Sequence, residues 1–285
     1  MEPLNLWDQI IARSEAALKI GALQPIPTTW NFVEQEGLGF LVRALANLVR
    51  KETQGAMKRS QQPNFNPFLP YEEDLFVADL SPSHVCLLNK FNVVDHHSLI
   101  VTRGFESQDD WLTLADFAAV AAGLAEIDGL AFYNGGTAAG ASQPHKHLQL
   151  VPLPLLPPGH DLPLDVAIAA IPDRTAPNPI RHFPFRHSFA PLKPGATAAE
   201  LLACYGQLLT QAGIDYQGTR QTAPHNWLMT RRWMVVIPRS QDEYAGISVN
   251  SLGFAGTLFV KNATQQQQLI DIGPLSLLTQ VAIPR

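Results

Sequence analysis

Residues 133–150 read YNGGTAAGASQPHKHLQL, and the pattern changes character at Pro144. Behind the proline, His145, His147 and Gln149 alternate with Lys146, Leu148 and Leu150. A strand has a side-chain period of two, so it would present both imidazoles and the amide on one face and the leucines on the other. A helix, turning ~100° per residue, would set the two imidazoles ~200° apart. Pro144 and Pro152 bracket a run of strand length, so the segment reads as a short strand carrying three polar groups side by side. Before the proline, ten small and polar residues include Gly135, Gly136 and Gly140. They permit tight turns whose N–H groups can approach an anion, with Ser142 and Gln143 as further donors.

Working outward, the flanking segments are also strand-like. DLFVADL, HVCLLNKF and SLIVT precede the central stretch, GLAFYN leads into it, and NWLMT, RRWMVVIP, ISVN and GTLFVK follow as a meander. TTWNFVEQEGLGFLVRAL reads as two strands about the turn Glu36-Gly37. Helices are expected over residues 4–20, with Leu4, Trp7, Ile11 and Leu18 inward and Gly21 as the stop. A second runs from a Ser107 cap to Leu124, burying Trp111, Leu114, Phe117, Ala121 and Leu124. A third follows the capping box Thr197/Glu200. Nine prolines in residues 152–184 mark an irregular crossing segment. Strands grouped around a few helices, without βαβ alternation, give an α+β fold with a mostly antiparallel sheet and flanking helices, expected as one domain over 1–285. The glutamine run Gln265–Gln268 reads as a solvated turn or helix face.

The composition limits the possible functions. Charged residues are 16 % of the 285, hydrophobic residues 46 %, and mean hydropathy is zero. That is too apolar for a disordered chain. A net charge of −5 excludes a broad basic surface for nucleic acid, though not a local phosphate pocket. Cys86 and Cys204, far apart and outside any C-x-x-C pair, predict neither a disulfide framework nor a structural zinc site. Neither a signal peptide nor a membrane span is visible, and a cytoplasmic protein is expected.

A phosphate-binding loop running into an imidazole pair suggests phosphoryl or nucleotidyl chemistry, with neutral imidazole as nucleophile. The spacing alone equally fits two zinc ligands with His97 as a third. His84, His160, His182, His187 and His225 read as surface or structural. Trp227 and Trp233 read as core, and Arg231, Arg232 and Arg239 as paired or solvated.

GASQPHKHLQ resembles the active-site strand of the histidine-triad superfamily, in the branch that contains galactose-1-phosphate uridylyltransferase. FYNGGTAAGASQPHKHLQL is most similar to the diadenosine tetraphosphate (Ap4A) phosphorylases, or ATP adenylyltransferases. HVCLLNKFNVVDHHSLIVT, LMTRRWMVVIPRS and ISVNSLGFAGTLFVK agree in the same order. The resemblance implies a histidine-triad-like fold and a reversible two-step reaction. His147 attacks an adenylyl phosphorus of Ap4A and releases ATP; phosphate then takes AMP from the histidine to give ADP. His145 would bond the phosphate or leaving group, and Gln149 a non-bridging oxygen. Nucleotide contacts would come from Asn89, Lys90, Asn134, Gly140, Ala141, Ser142, Gln143, Asn250, Ser251, Lys261 and Lys51, with His97 supporting the phosphate site. Mg2+ is expected with the substrate, and neither nucleic acid nor a membrane as partner.

Gln149 stands where related hydrolases carry a third histidine. An amide orients oxygens but does not titrate near pH 7, so it cannot be a general base for water, whereas phosphate arrives already anionic. The alternatives are a sugar-1-phosphate uridylyltransferase, a dinucleoside polyphosphate hydrolase and a non-catalytic nucleotide sensor. Leu252, Thr257 and the pair Asp95-His96 depart from the pattern.

Overall fold

The computed structural model describes residues 4–45, 65–155, 162–171 and 180–285; Lys51 and His160 lie outside these. Strands β1 (Thr28–Gln35) and β2 (Leu38–Leu45) form the expected hairpin. Glu36 and Gly37 turn it at positive φ (53° and 75°), the geometry a two-residue hairpin requires. The principal sheet has eight strands. They are β3 (Phe76–Ser81), β4 (His84–Leu88), β5 (Ser98–Thr102), β6 (Gly129–Gly135), β7 (His147–Pro152), β8 (Ser188–Pro191), β9 (His225–Met229) and β10 (Trp233–Pro238). Their order is β3-β4-β5-β7-β6-β9-β10-β8, antiparallel throughout. The strand carrying His147 and Gln149 is therefore central, and both halves of the chain contribute to its sheet. It begins at His147, so His145, expected on the same strand, lies just before it in an isolated bridge to Ser107, because the ladders with β5 and β6 start only at His147 and Gln149.

Alternation sends the two faces of this sheet into different cores. Leu148, Leu150, Ala131, Tyr133, Trp227 and Met229 pack on the face covered by α1 (Leu6–Lys19), α2 (Leu114–Glu126) and the helix over Ala198–Gln211. Phe132, Val151, Leu228 and Val235 face the opposite way, toward β2, α3 (Pro163–Ala169) and the C-terminal elements. His147 and Gln149 share that second face, as the period of two requires. A smaller cluster of Phe68, Val85, Leu87, Leu99 and Val101 lies alongside.

Several local expectations change. Helix α1 buries Leu6, Ile10, Ser14 and Ala17, whereas Leu4 and Leu18 are exposed; Gly21 follows its end at φ 74°. Helix α2 starts at Leu114 rather than at Ser107, because Thr113 and Asp116 form a reciprocal capping box. Ser107 instead makes a strand bridge to His145, and Leu114 is exposed. Helix α4 (Ala198–Gln211) opens on Thr197 and Glu200 as expected. The C-terminal meander breaks after β10. A two-residue pair, β11 (Glu243–Tyr244) and β12 (Ile247–Ser248), precedes α5 (Ser251–Phe254). Strand β13 (Thr257–Val260) then pairs in parallel with β2 in a separate three-stranded sheet. The glutamine run lies on α6 (Ala263–Ile272), and α7 (Pro274–Val281) closes the chain. Within the proline-rich segment, α3 begins at Pro163, where a missing N–H costs nothing. No described helix is long and apolar enough to cross a membrane.

Lys146, between the two histidines, is wholly buried on the helical side of β7. Its ammonium donates to Glu106 Oε2 (2.7 Å), the Trp111 carbonyl (3.1 Å) and Asp116 Oδ2 (3.3 Å). His84 Nε2 donates to Asp116 Oδ1 at 2.9 Å. Burial opposes ionisation of Asp116, but the His84 hydrogen bond and the Lys146 charge outweigh it and hold the carboxyl below its ordinary value. Asp116→Ala removes the buried carboxylate and the helix cap together. It is expected to lower the unfolding free energy in urea by about 3–5 kcal/mol; a loss under ~1 kcal/mol would mean that Glu106 alone suffices for Lys146.

Candidate active site

His147 is 5 % exposed, and its ring is fixed by its own chain: Nδ1 lies 2.8 Å from the His145 carbonyl oxygen. A carbonyl only accepts, so Nδ1 carries the proton and Nε2 keeps its lone pair. Burial pushes the His147 imidazole down to about 4; the carbonyl bond opposes this and the nearby His145 adds to it. The side chain is therefore neutral at physiological pH and nucleophilic at Nε2. Phe68 lies against the ring, 5.3 Å between centroids.

His145 is fully buried, and both nitrogens are engaged inside the protein. The Asn66 amide donates to Nδ1 (2.9 Å), which makes Nε2 the protonated nitrogen, and it donates to the Thr102 carbonyl (2.9 Å). This differs from the expectation that His145 bonds the phosphate or leaving group. In this arrangement His145 supplies the carbonyl that orients His147. With its nitrogens so used, the zinc reading of the histidine pair loses a ligand, and no group of three or more candidate ligands occurs among the described residues.

Gln149 is also oriented. Asn89 Nδ2 donates to His97 Nδ1 (3.2 Å), so His97 Nε2 donates to Gln149 Oε1 (2.9 Å). The chain of bonds fixes the amide: its oxygen faces His97, and its NH2 is the end available for an anionic oxygen. His97 thus touches Gln149 on one side and Asn89 on the other. His96, at φ 58°, bonds Ser14 and meets Trp7 edge-on, tying α1 to the loop before β5.

In the glycine loop, Gly136 and Gly140 adopt φ of 88° and 89° around a 3-10 turn at Thr137–Ala139. The N–H groups of Ala139, Gly140 and Ala141 close this turn onto Gly136 and Thr137, so they are spent within the loop. Ser142 is exposed at its tip, followed by Gln143. A Cβ on Gly140 would come within 2.9 Å of Asn250 Cβ and the Val249 carbonyl; only glycine lets the loop seat there.

Beneath the loop lies a polar network the sequence did not reveal. Asn226 Nδ2 donates to Asn134 Oδ1 (3.0 Å), Ser251 Oγ (2.9 Å) and the Ala139 carbonyl (2.8 Å). Arg239 Nη1 donates to Asn226 Oδ1 at 2.6 Å. The Ser251 hydroxyl is buried and committed to Tyr133 O and Asn134 Oδ1, so it joins loops rather than meeting a nucleotide. Asn134 Oδ1 is likewise used internally. Burial lowers the Arg239 guanidinium to about 9, and Asp242 partly offsets this; it remains a cation under the loop. Arg232 pairs with Asp165, and Arg231 bonds the carbonyls of Leu124 and Ala125.

A cavity of about 310 Å³ adjoins this assembly. Asn89, His97, Gly140, Asn250 and Lys261 line it with Phe91, Val94 and Leu252. Five of the residues singled out in the sequence thus converge on one space. Lys90 does not line it, and its ammonium pairs with Glu72 at 2.6 and 2.7 Å. Trp227 and Trp233 are core residues.

Comparison with known proteins agrees with this architecture. Residues 1–170 match the model of the Ap4A phosphorylase N-terminal domain and residues 181–284 that of the ATP adenylyltransferase C-terminal domain. Diadenosine 5',5'''-P1,P4-tetraphosphate phosphorylase 2 of Saccharomyces cerevisiae is 31 % identical over 257 residues, covering 76 % of this chain and 77 % of the relative. Protein APA1 of the same yeast is 27 % identical over 316 residues, covering 94 % and 92 %. The crystal structure of yeast Ap4A phosphorylase Apa2 in complex with Ap4A superposes with a TM-score of 0.82 at 26 % identity, covering 100 % of this chain and 99 % of that one. The chain belongs to the Ap4A phosphorylase and ATP adenylyltransferase family.

Proposed function

We propose that this protein degrades Ap4A with inorganic phosphate to ATP and ADP, through an AMP–histidine intermediate on His147. The observation that carries the reading is the 2.8 Å bond from His147 Nδ1 to the His145 carbonyl, which leaves a neutral imidazole with its Nε2 lone pair free. In the first half-reaction that lone pair forms an N–P bond to the α-phosphorus, the bridging P–O bond breaks, and ATP departs with the electron pair. The adenylylated imidazole retains the Nδ1 proton and is cationic, so its bond to the His145 carbonyl strengthens as charge develops. The Gln149 NH2 holds a non-bridging oxygen, in the orientation that His97 imposes. In the second half-reaction a phosphate oxygen attacks the same phosphorus, the N–P bond breaks, and ADP and free His147 result. The reverse sequence joins ATP to ADP.

Asn89, Asn250 and Lys261 line the cavity and suit nucleotide binding, and Ser142 and Gln143 suit the phosphate chain. Asn134 and Ser251 act beneath the loop by fixing its position. Mg2+ enters with the substrate: the described residues gather no carboxylate or histidine cage for it, and a phosphate-bound ion with retained waters needs none. A reducing compartment such as the cytoplasm suits Cys86 and Cys204, both free thiols raised by burial, to about 12 and about 11.

Incubation with Ap4A and phosphate is expected to yield ATP and ADP in equal amounts, with negligible turnover when phosphate is omitted. Equal turnover without phosphate, giving AMP, would identify a hydrolase instead. His147→Ala is expected to abolish turnover and labelling by adenylate; activity above about a thousandth of wild type would rule out covalent catalysis there. The acid limb of kcat/KM due to His147 should lie near pH 4, since protonation removes the attacking lone pair and burial lowers the imidazole to about 4. A limb at the ordinary histidine value, near 6.5, would show that the imidazole is solvated in the free enzyme.

A further inference from the structure

Strands β6 and β7 pair from Gly129↔Pro152 to Phe132↔Gln149 and then part. Beyond that point β6 continues only with β9, to Gly135↔His225, while β7 stays beside β5, with Val101 opposite His147. On the β6 side, therefore, the nucleophile has no strand neighbour. Its N–H and C=O, and the Asn134 carbonyl across the gap, are interior backbone groups that must find other partners.

The side-chain amide of Gln108 occupies this gap. Its Oε1 accepts the His147 N–H (2.9 Å), and its Nε2 donates to the Asn134 carbonyl (2.9 Å) and the His147 carbonyl (3.3 Å). An amide carries both a donor and an acceptor, so one side chain replaces a missing ladder partner. Gln108 is itself held at its main chain: its N–H donates to the Pro144 carbonyl (2.8 Å), and its carbonyl accepts Tyr133 Oη (2.6 Å) and Gln221 Nε2 (3.1 Å). Buried Lys146 secures the same loop through Glu106 and the Trp111 carbonyl, and its own N–H donates to the Glu106 carbonyl at 2.8 Å.

We infer that Gln108 is a positioning residue for the nucleophile. It lets the sheet open for the glycine loop while keeping His147 as fixed as a residue inside a paired ladder. The inference rests on His147 being the attacking group. Displacing a reacting atom by ~1 Å costs on the order of a hundredfold in rate, so loss of this clamp should appear in the chemical step rather than in binding.

The test is a single-turnover measurement on the full-length protein with ADP radiolabelled at its α-phosphate. Attack by His147 expels phosphate and leaves labelled AMP on the enzyme, which an alkaline quench preserves. Three quantities are read: the fraction of enzyme labelled, the rate constant of labelling and, in a separate titration, the Kd for AMP. For Gln108→Met, of similar length without the amide, the rate constant is expected to fall ~10–100-fold with the labelled fraction and the Kd for AMP within about twofold of wild type. A wild-type rate constant would overturn the inference. So would a reduced labelled fraction reacting at the wild-type rate, since that is the signature of a merely structural role.

If Gln108→Met does not fold, Gln108→Glu decides. It keeps the acceptor for the His147 N–H but donates to the Asn134 carbonyl only when protonated. Its rate relative to wild type should therefore rise as pH falls, and a ratio independent of pH would overturn the inference. No label on the wild-type enzyme would overturn the nucleophile reading itself, and the role of Gln108 with it.

Discussion

The hydrogen bond from His147 Nδ1 to the His145 carbonyl governs how the site works. It selects the tautomer, aims Nε2, and in the proposed reaction provides a neutral acceptor for the positive charge that adenylylation would place on the ring. A carboxylate in that place would raise the imidazole pKa and favour the protonated, non-nucleophilic form. A carbonyl stabilises the charge without that penalty, and burial completes the effect by lowering the ring to about 4. His145 follows the same logic. Its nitrogens are tied to Asn66 and Thr102, so the carbonyl that it presents does not move.

That bond is useful only if the strand carrying it is rigid at a point where the sheet must also open. Two amide side chains are fixed at this point, one bracing the backbone and one presented by the strand. Gln108 completes the backbone bonding of His147, while His97 and Asn89 fix the direction of the Gln149 amide. On the back of the strand, Lys146 joins the loop bearing Gln108 to the N-terminal turn of α2 through Asp116. The residue between the two histidines thus works on the far side of the sheet, as the strand period dictates.

The elements were largely legible from the sequence, and so was the central motif, because a period of two and bracketing prolines leave few other readings of residues 145–150. What escaped depends on tertiary partners. The alternation puts Lys146 on the leucine face but does not supply its partners: it is buried there because Asp116 and Glu106 arrive from elsewhere in the chain. Gln108 and Asn226 are ordinary amides in sequence, and their roles arise from a gap between strands and a loop overhead. Ser107 was the expected cap, but Asp116, three residues after Thr113, completes a capping box there and moves the helix start to Leu114. In α1 the small residues Ser14 and Ala17 face inward with Leu6 and Ile10, so the stripe drawn through Leu4, Trp7, Ile11 and Leu18 was rotated from the true one. Strand β13 had the right composition, but composition does not name a partner, and it joined β2 rather than the main sheet.

The scarcity of charge now has a physical meaning. A polyphosphate bound by many lysines would be held tightly in the ground state, and that attraction would not accelerate transfer. Here the polar side chains set around His147 are imidazoles and amides, Lys261 is in the cavity lining, and Arg239 keeps its charge beneath the loop, bound to carbonyl and amide oxygens. A buried cation so placed adds a positive field beneath the loop, with its own donors already bound to protein oxygens. Such a field acts on any anion that enters, whatever its identity, and leaves discrimination to the groups around Nε2. Gln149 is well suited to that task, because an amide can hold the same non-bridging oxygen during attack by the histidine and attack by phosphate without changing its own protonation state.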